Sequence, residues 1–170
     1  MEKRSVETIV KALNEANVRY LIVGGLAVVA HGYVRFTADV DLFINLEATN
    51  LRNALGALTQ LGYLPRAPVK LEEFADTQIR QRWISEKGMK VFSLSSSEHA
   101  ATEIDLFAQA PFDFDDAYAC AARLELSPGL TATFVDLDRL ITLKNQAGRP
   151  QDLIDIKNLK TLRKGSQDDA

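Results

Sequence analysis

Two neighbouring stretches decide the fold: Tyr20-Leu-Ile-Val-Gly-Gly-Leu-Ala-Val-Val-Ala-His-Gly32 and Arg35-Phe-Thr-Ala-Asp-Val-Asp-Leu-Phe-Ile44. Residues 18–23 are a short apolar run rich in β-branched side chains, bounded by Asn17 and by Gly24-Gly25, which predicts a buried strand. Residues 26–31 read as a short helix stopped by Gly32, and residues 39–44 as a second strand. Alternate strand residues share a face, so Asp39 and Asp41 project together while Val40 turns into the core.

Outward from this pair the chain alternates helical and extended patterns. A helix capped by Ser5 and running to about residue 16 carries Val6, Ile9, Val10 and Leu13 on one face. Residues 48–61 form a second amphipathic helix ended by Gly62, and residues 63–68 a loop. Residues 71–84 stay ambiguous: Glu72-Glu73 favours a helix start, whereas 78–83 could run as an extended edge. Strands are expected at 89–94 and 102–107 about a polar turn, and a helix at 113–122. The extended runs 124–126 and 130–135 flank Ser127-Pro-Gly as a hairpin. Asp136 caps a helix to about residue 147, Gly148-Arg-Pro breaks it, and residues 151–163 form the last helix. The expected architecture is α/β (α+β), a short mixed sheet flanked by helices, as a single domain over 1–165 with a polar tail at 166–170.

With 170 residues, 46% of them hydrophobic, one domain with a substantial core is expected. A net charge of -3 argues against a broadly basic surface that coats nucleic acid, while leaving room for a local basic groove. The single cysteine, Cys120, cannot form an intrachain disulfide, and no Cys/His cluster has zinc spacing. The amino terminus lacks an apolar signal core, and no apolar run approaches the roughly 20 residues that span a bilayer. A cytoplasmic protein that does not engage a membrane is expected.

The chemistry should concentrate where Asp39 and Asp41 meet the glycine pair. Two carboxylates on one strand face supply hard oxygen ligands, and Mg²⁺ takes one or two such groups with phosphates and water completing its shell. Asp-x-Asp alone is common, and Asp113-Phe-Asp115 and Asp136-Leu-Asp138 repeat it at expected helix starts, where the acids serve as caps. Gly24-Gly25 lets backbone N–H groups approach an anion, although neither the Walker A pattern nor G-x-G-x-x-G is present. Glu103-Ile-Asp105 adds a third carboxylate, Asp105, on a later apolar strand; it converges with the first two if that strand lies beside theirs. Arg35 either neutralises phosphate or pairs with a nearby acid, and Thr37 offers a hydroxyl that holds the loop. His31 reads as packed and hydrogen-bonded, His99 as solvated, and Trp83 as core or as a base-stacking ring. Lys157, Lys160, Lys164 and Arg163 form either a wet face or a stripe for an RNA backbone.

Together, Gly24-Gly25, Arg35-x-Thr37-x-Asp39-x-Asp41 and the downstream Asp105 resemble the signature of the DNA polymerase β-type nucleotidyltransferase superfamily, over residues 18–159. The run from Leu143 through Lys144, Arg149 and Asp152 to Asp155 is similar to the AbiEii-like toxins and stand-alone minimal nucleotidyltransferases. Its close resembles the small lincosamide nucleotidyltransferases. The resemblance implies the nucleotidyltransferase fold and transfer of a nucleoside monophosphate from an NTP to a hydroxyl, with two Mg²⁺ ions, or Mn²⁺ in their place, held by Asp39, Asp41 and Asp105. It implies that Gly24, Gly25, Arg35, Thr37 and Lys144 form the nucleotide and phosphate contacts and that Asp152 supports the lysine or the base. The acceptor it implies is a tRNA or other RNA end, or a small hydroxylated molecule such as a lincosamide or aminoglycoside. Toxin-like relatives also suggest an antitoxin-type protein partner or a non-catalytic member of such a pair, and the compact domain suits a homodimer that builds the acceptor side. One departure stands out: the family's Gly-Ser pair is Gly-Gly here, so backbone contacts are expected to replace the serine hydroxyl.

Overall fold

The computed structural model describes residues 1–168, with side chains characterised through residue 165. Helix α1 (Lys3–Glu15) leads into strand β1 (Tyr20–Ile22), then α2 (Gly24–Ala30), β2 (Asp39–Ile44) and α3 (Ala48–Gln60). Edge strand β3 (Leu64–Pro65), a 3-10 turn at Leu71–Ala75, α4 (Thr77–Lys87), β4 (Val91–Ser95) and β5 (Glu103–Phe107) follow. The chain closes with α5 (Phe114–Ala119), the hairpin β6 (Ala122–Ser127) and β7 (Leu130–Phe134), α6 (Leu137–Ala147) and α7 (Pro150–Asp168). The strands form one mixed sheet ordered β3-β4-β5-β2-β1-β7-β6. The fold is therefore the expected α/β arrangement, a mixed sheet flanked by helices with two helices at the carboxyl end.

Hydrophobic alternation sets the sheet's two faces. Val40 and Leu42 of β2, Ile104 and Leu106 of β5, and Phe92 and Leu94 of β4 are all buried, on the face that the core covers. The intervening Asp39, Asp41, Glu103, Asp105, Val91 and Ser93 are half-buried on the other. Strands β2 and β5 lie parallel at the centre, with Asp39 opposite Glu103 and Asp41 opposite Asp105. Further along β2, Phe43 packs edge-on against Phe112 and Phe114, which closes one end of the polar face.

Several local expectations are corrected. Ser5 does not cap α1: the helix begins at Lys3 with no side-chain cap, and the buried Ser5 hydroxyl lies 2.9 Å from His99 Nδ1. His99 is accordingly not a solvated side chain but stacks on Tyr63 at 5.6 Å. Part of the expected loop at 63–68 joins the sheet as β3, pairing Leu64 with Ser95. The ambiguous segment resolves as helix because Asp76 caps α4, accepting from the Gln78 and Ile79 N–H groups. That helix turns Trp83 inward against Phe92, so the indole is core. His31 is held as expected, with Nε2 2.8 Å from the Val135 carbonyl. Helix α7 continues to Asp168, past the expected end at 163 and into the expected tail; residues 169–170 lie outside the described residues.

Candidate active site

Four of the expected site residues share one extended segment. Through the loop before β2 and into the strand, exposure alternates: Val34, Phe36 and Ala38 face solvent, while Arg35, Thr37, Asp39 and Asp41 are half-covered. The parallel register with β5 sets Asp105 directly beside Asp41. Antiparallel pairing of β4 sets Ser93 beside Asp105 on the far side, and the Ser93 hydroxyl donates to Asp105 Oδ1. Arg66 in turn donates to Glu103 at 2.7 Å, closing the outer edge of the acidic strip.

The glycine pair fits this strip from above. Gly24 has φ +62, and a Cβ there would lie 1.8 Å from Asp41 Oδ2, so only glycine lets the carboxylate settle against the start of α2. Gly25 donates its N–H to that carboxylate. A Cβ on Gly25 would meet Thr37 Oγ1 at 2.4 Å and Arg35 at 3.1 Å. The Thr37 hydroxyl therefore lies against the spot that a side chain at position 25 would fill.

Crowding of carboxylates governs the electrostatics. Burial first, then the neighbouring Asp105 and Asp39 charges, push the Asp41 carboxyl up to about 6, against the pull of the Gly25 N–H and of Lys144. Asp39 is raised by burial and by Asp105 and Glu103. A strip that resists full ionisation in this way is what a divalent cation relieves, and Asp39, Asp41 and Asp105 are the oxygen donors such an ion would use. Among the described residues no three His, Cys, Asp or Glu side chains converge as a ready-made cage. Mg²⁺, bound through one or two carboxylates with the rest from phosphate and water, fits this sparser set.

Beside the acidic strip lies a buried ionic cluster that joins α6 and α7 to the loop before β2. Lys144 Nζ lies 3.0 Å from Asp152 Oδ1 and 2.8 Å from Asp155 Oδ2, and the lysine is only 4% exposed. Arg35 makes a two-pronged pair with Asp155 at 2.8 and 2.9 Å, and Gln151 donates to the same carboxylate at 2.9 Å. Arg149 holds Asp152 through Nε at 2.8 Å and through its backbone N–H at 3.1 Å. Burial alone would raise the Asp152 carboxyl, but the bonds from Arg149 and Lys144 overcome it and hold the group down at about 2. Asp155 is likewise lowered: burial opposes, and Lys144, Arg35 and Gln151 prevail.

This arrangement places three residues named in the sequence. Lys144 is not an exposed helix lysine: it is buried, pairs with Asp152 and Asp155, and lines the cavity beside Asp41. Arg35 pairs with Asp155. Asp155, quoted in the sequence run without a role, is the cluster's centre.

A cavity of about 330 Å³ opens between the two groups, lined by Gly24, Asp41, Lys90, Phe107, Lys144 and Arg149 among others. Lys90 and Phe107 were not singled out in the sequence; Val91 pairs with Phe107, and that pairing delivers Lys90 to the cavity. The basic residues of α7 are exposed, and Arg163 is paired with Asp138. Among the described residues no helix is long and apolar enough to cross a membrane. No protein-family model matches this chain, and no curated protein matches it.

Proposed function

We propose that this protein is a metal-dependent nucleotidyltransferase that moves a nucleoside monophosphate from an NTP to a hydroxyl acceptor and releases pyrophosphate. The observation that carries the reading is the register of Asp41 against Asp105 on parallel strands, with Asp39 on the same face and the cavity opening at Gly24. Three acids brought together from two distant parts of the chain at the centre of a sheet, none of them in an ion pair among the described residues, are costly unless a cation uses them.

In this account Asp39, Asp41 and Asp105 hold Mg²⁺, which when bound would polarise the α-phosphoryl group and offset charge on the departing pyrophosphate. The acceptor oxygen forms a bond to the α-phosphorus, and the bond from that phosphorus to the α,β-bridging oxygen breaks, its electron pair leaving with pyrophosphate. Asp105 receives the hydroxyl proton: Ser93 occupies Oδ1 and aims the carboxylate, leaving Oδ2 for the acceptor. Gly24 lets the nucleotide approach Asp41 without a side chain between them, and Thr37 offers its hydroxyl beside Gly25. The buried Lys144 cluster fixes α6 and α7 as one wall of the cavity.

The acceptor is an RNA end or a small hydroxylated molecule. The test incubates purified protein with each α-labelled NTP, Mg²⁺, and either total tRNA or a panel of hydroxylated antibiotics. Label should pass to one acceptor class with wild type and not with Asp41→Ala. Absence of transfer in every arm, with no NTP binding, would overturn the reading.

A further inference from the structure

The cavity beside Asp41 is lined by three cations, and they are not equivalent. Lys144 is enclosed by Asp152 and Asp155, and Arg149 is engaged by Asp152. Lys90 is exposed and, among the described residues, forms no ion pair. Its backbone is nonetheless fixed: the Lys90 carbonyl accepts from Ala108 N–H at 2.9 Å, and the next residue, Val91, enters the β4–β5 ladder opposite Phe107. The residue also stands on a shared wall. A second cavity of about 520 Å³, which includes Met89, Gln109 and Ala110, meets the first at Lys90, Phe107, Pro111 and Gln146. The two form a continuous groove that starts at the carboxylates and runs past this one uncommitted cation.

Building on the nucleotidyl-transfer reading, the geometry points to Lys90, rather than Lys144, as the side chain that receives the polyphosphate arm of the NTP. An ammonium already satisfied by two carboxylates has little to offer a third anion, and freeing it would strand two buried negative charges. An ammonium on a flexible stem at the lip of the same cavity has all three donors available and loses no internal partner on binding. Lys144 then acts as a positioning residue, through the wall it fixes.

The test uses inorganic tripolyphosphate and the four NTPs, each with Mg²⁺, titrated into the full chain by calorimetry. A charged hydrogen bond of this type corresponds to a loss of roughly 10- to 100-fold in affinity when removed. Lys90→Ala should show that loss for tripolyphosphate and for the NTPs that bind, with an unchanged melting temperature, and Lys90→Arg should recover most of it. Lys87→Ala, removing an exposed lysine on α4 outside both cavities, should bind as wild type does. Wild-type affinity in Lys90→Ala, or an equal loss in Lys87→Ala, overturns the assignment of Lys90 while leaving nucleotidyl transfer intact. Failure of the wild type to bind any of these polyphosphates overturns both.

Discussion

Replacing Asp41 with asparagine should stabilise the metal-free protein at neutral and alkaline pH, an unusual direction for a change at a half-buried polar position. The folded protein holds the Asp41 carboxyl at about 6, against roughly 3.9 for a free side chain, because burial and the Asp105 and Asp39 charges disfavour ionisation. The folded state therefore binds this proton more tightly than the unfolded state. The resulting contribution to stability is fully present below about pH 4, declines as pH rises through about 6, and is absent above that. A difference of about two units amounts to ~3 kcal/mol of strain above the folded pKa. Asparagine keeps the shape and removes the charge, but it also gives up the charged bond from Gly25 N–H and the attraction to Lys144, so the net gain should be about 1–2 kcal/mol. For a domain of this size that is a rise of about 2–8 °C in melting temperature. Thermal melts by circular dichroism, in EDTA and from about pH 4 to about pH 8, read it directly. The two proteins should converge at the acid end and separate as pH rises, and Mg²⁺ should raise the melting temperature of wild type more than that of the variant. A variant that melts at or below wild type across the range, or above it by a margin that does not change with pH, would show that the Asp41 charge does not destabilise the fold.

Other perturbations separate scaffold from chemistry. Asp155→Ala leaves Lys144 and Arg35 without their shared carboxylate in a fully buried position and should lower unfolding stability by about 3–5 kcal/mol, read as a shifted urea midpoint. Gly24→Ala forces a Cβ to within 1.8 Å of Asp41 Oδ2 at a φ of +62, so nucleotidyl transfer should disappear in the labelled-NTP assay even where circular dichroism shows a folded chain. Ser93→Ala frees Asp105 Oδ1 and should slow transfer by roughly 10- to 100-fold with little change in melting temperature.

What could be read in the chain and what could not divide along the range of the interactions. Strand β2 has the expected bounds because alternation around Asp39-Val-Asp41 and the following apolar residues is a local signal. The Asp136 cap and Gly148 stop of α6 were legible for the same reason. Asp105 could be nominated, but its position beside Asp41 depends on parallel pairing across more than sixty residues, which no local pattern encodes. The burial of Lys144 was not legible because a lysine on an amphipathic helix looks alike whether it snorkels or is enclosed; only the return of α7 with Asp152 and Asp155 brings its partners to it. The closeness of Thr37 to Gly25 is similar: residues twelve apart in the chain leave no room for a side chain at position 25, and no local pattern shows it. Lys90 lies outside every motif and reaches the cavity through the β4–β5 register alone.

The most direct measurement of the central claim is transfer of α-labelled nucleotide by wild type, Asp41→Asn and Asp105→Asn side by side, with Mg²⁺ and tRNA or hydroxylated antibiotics as acceptors. Label should appear on an acceptor with wild type and be lost in both variants, with melting temperatures that show both variants folded. Transfer that persists in the two folded variants, or wild type that neither transfers label nor binds any NTP, would contradict it.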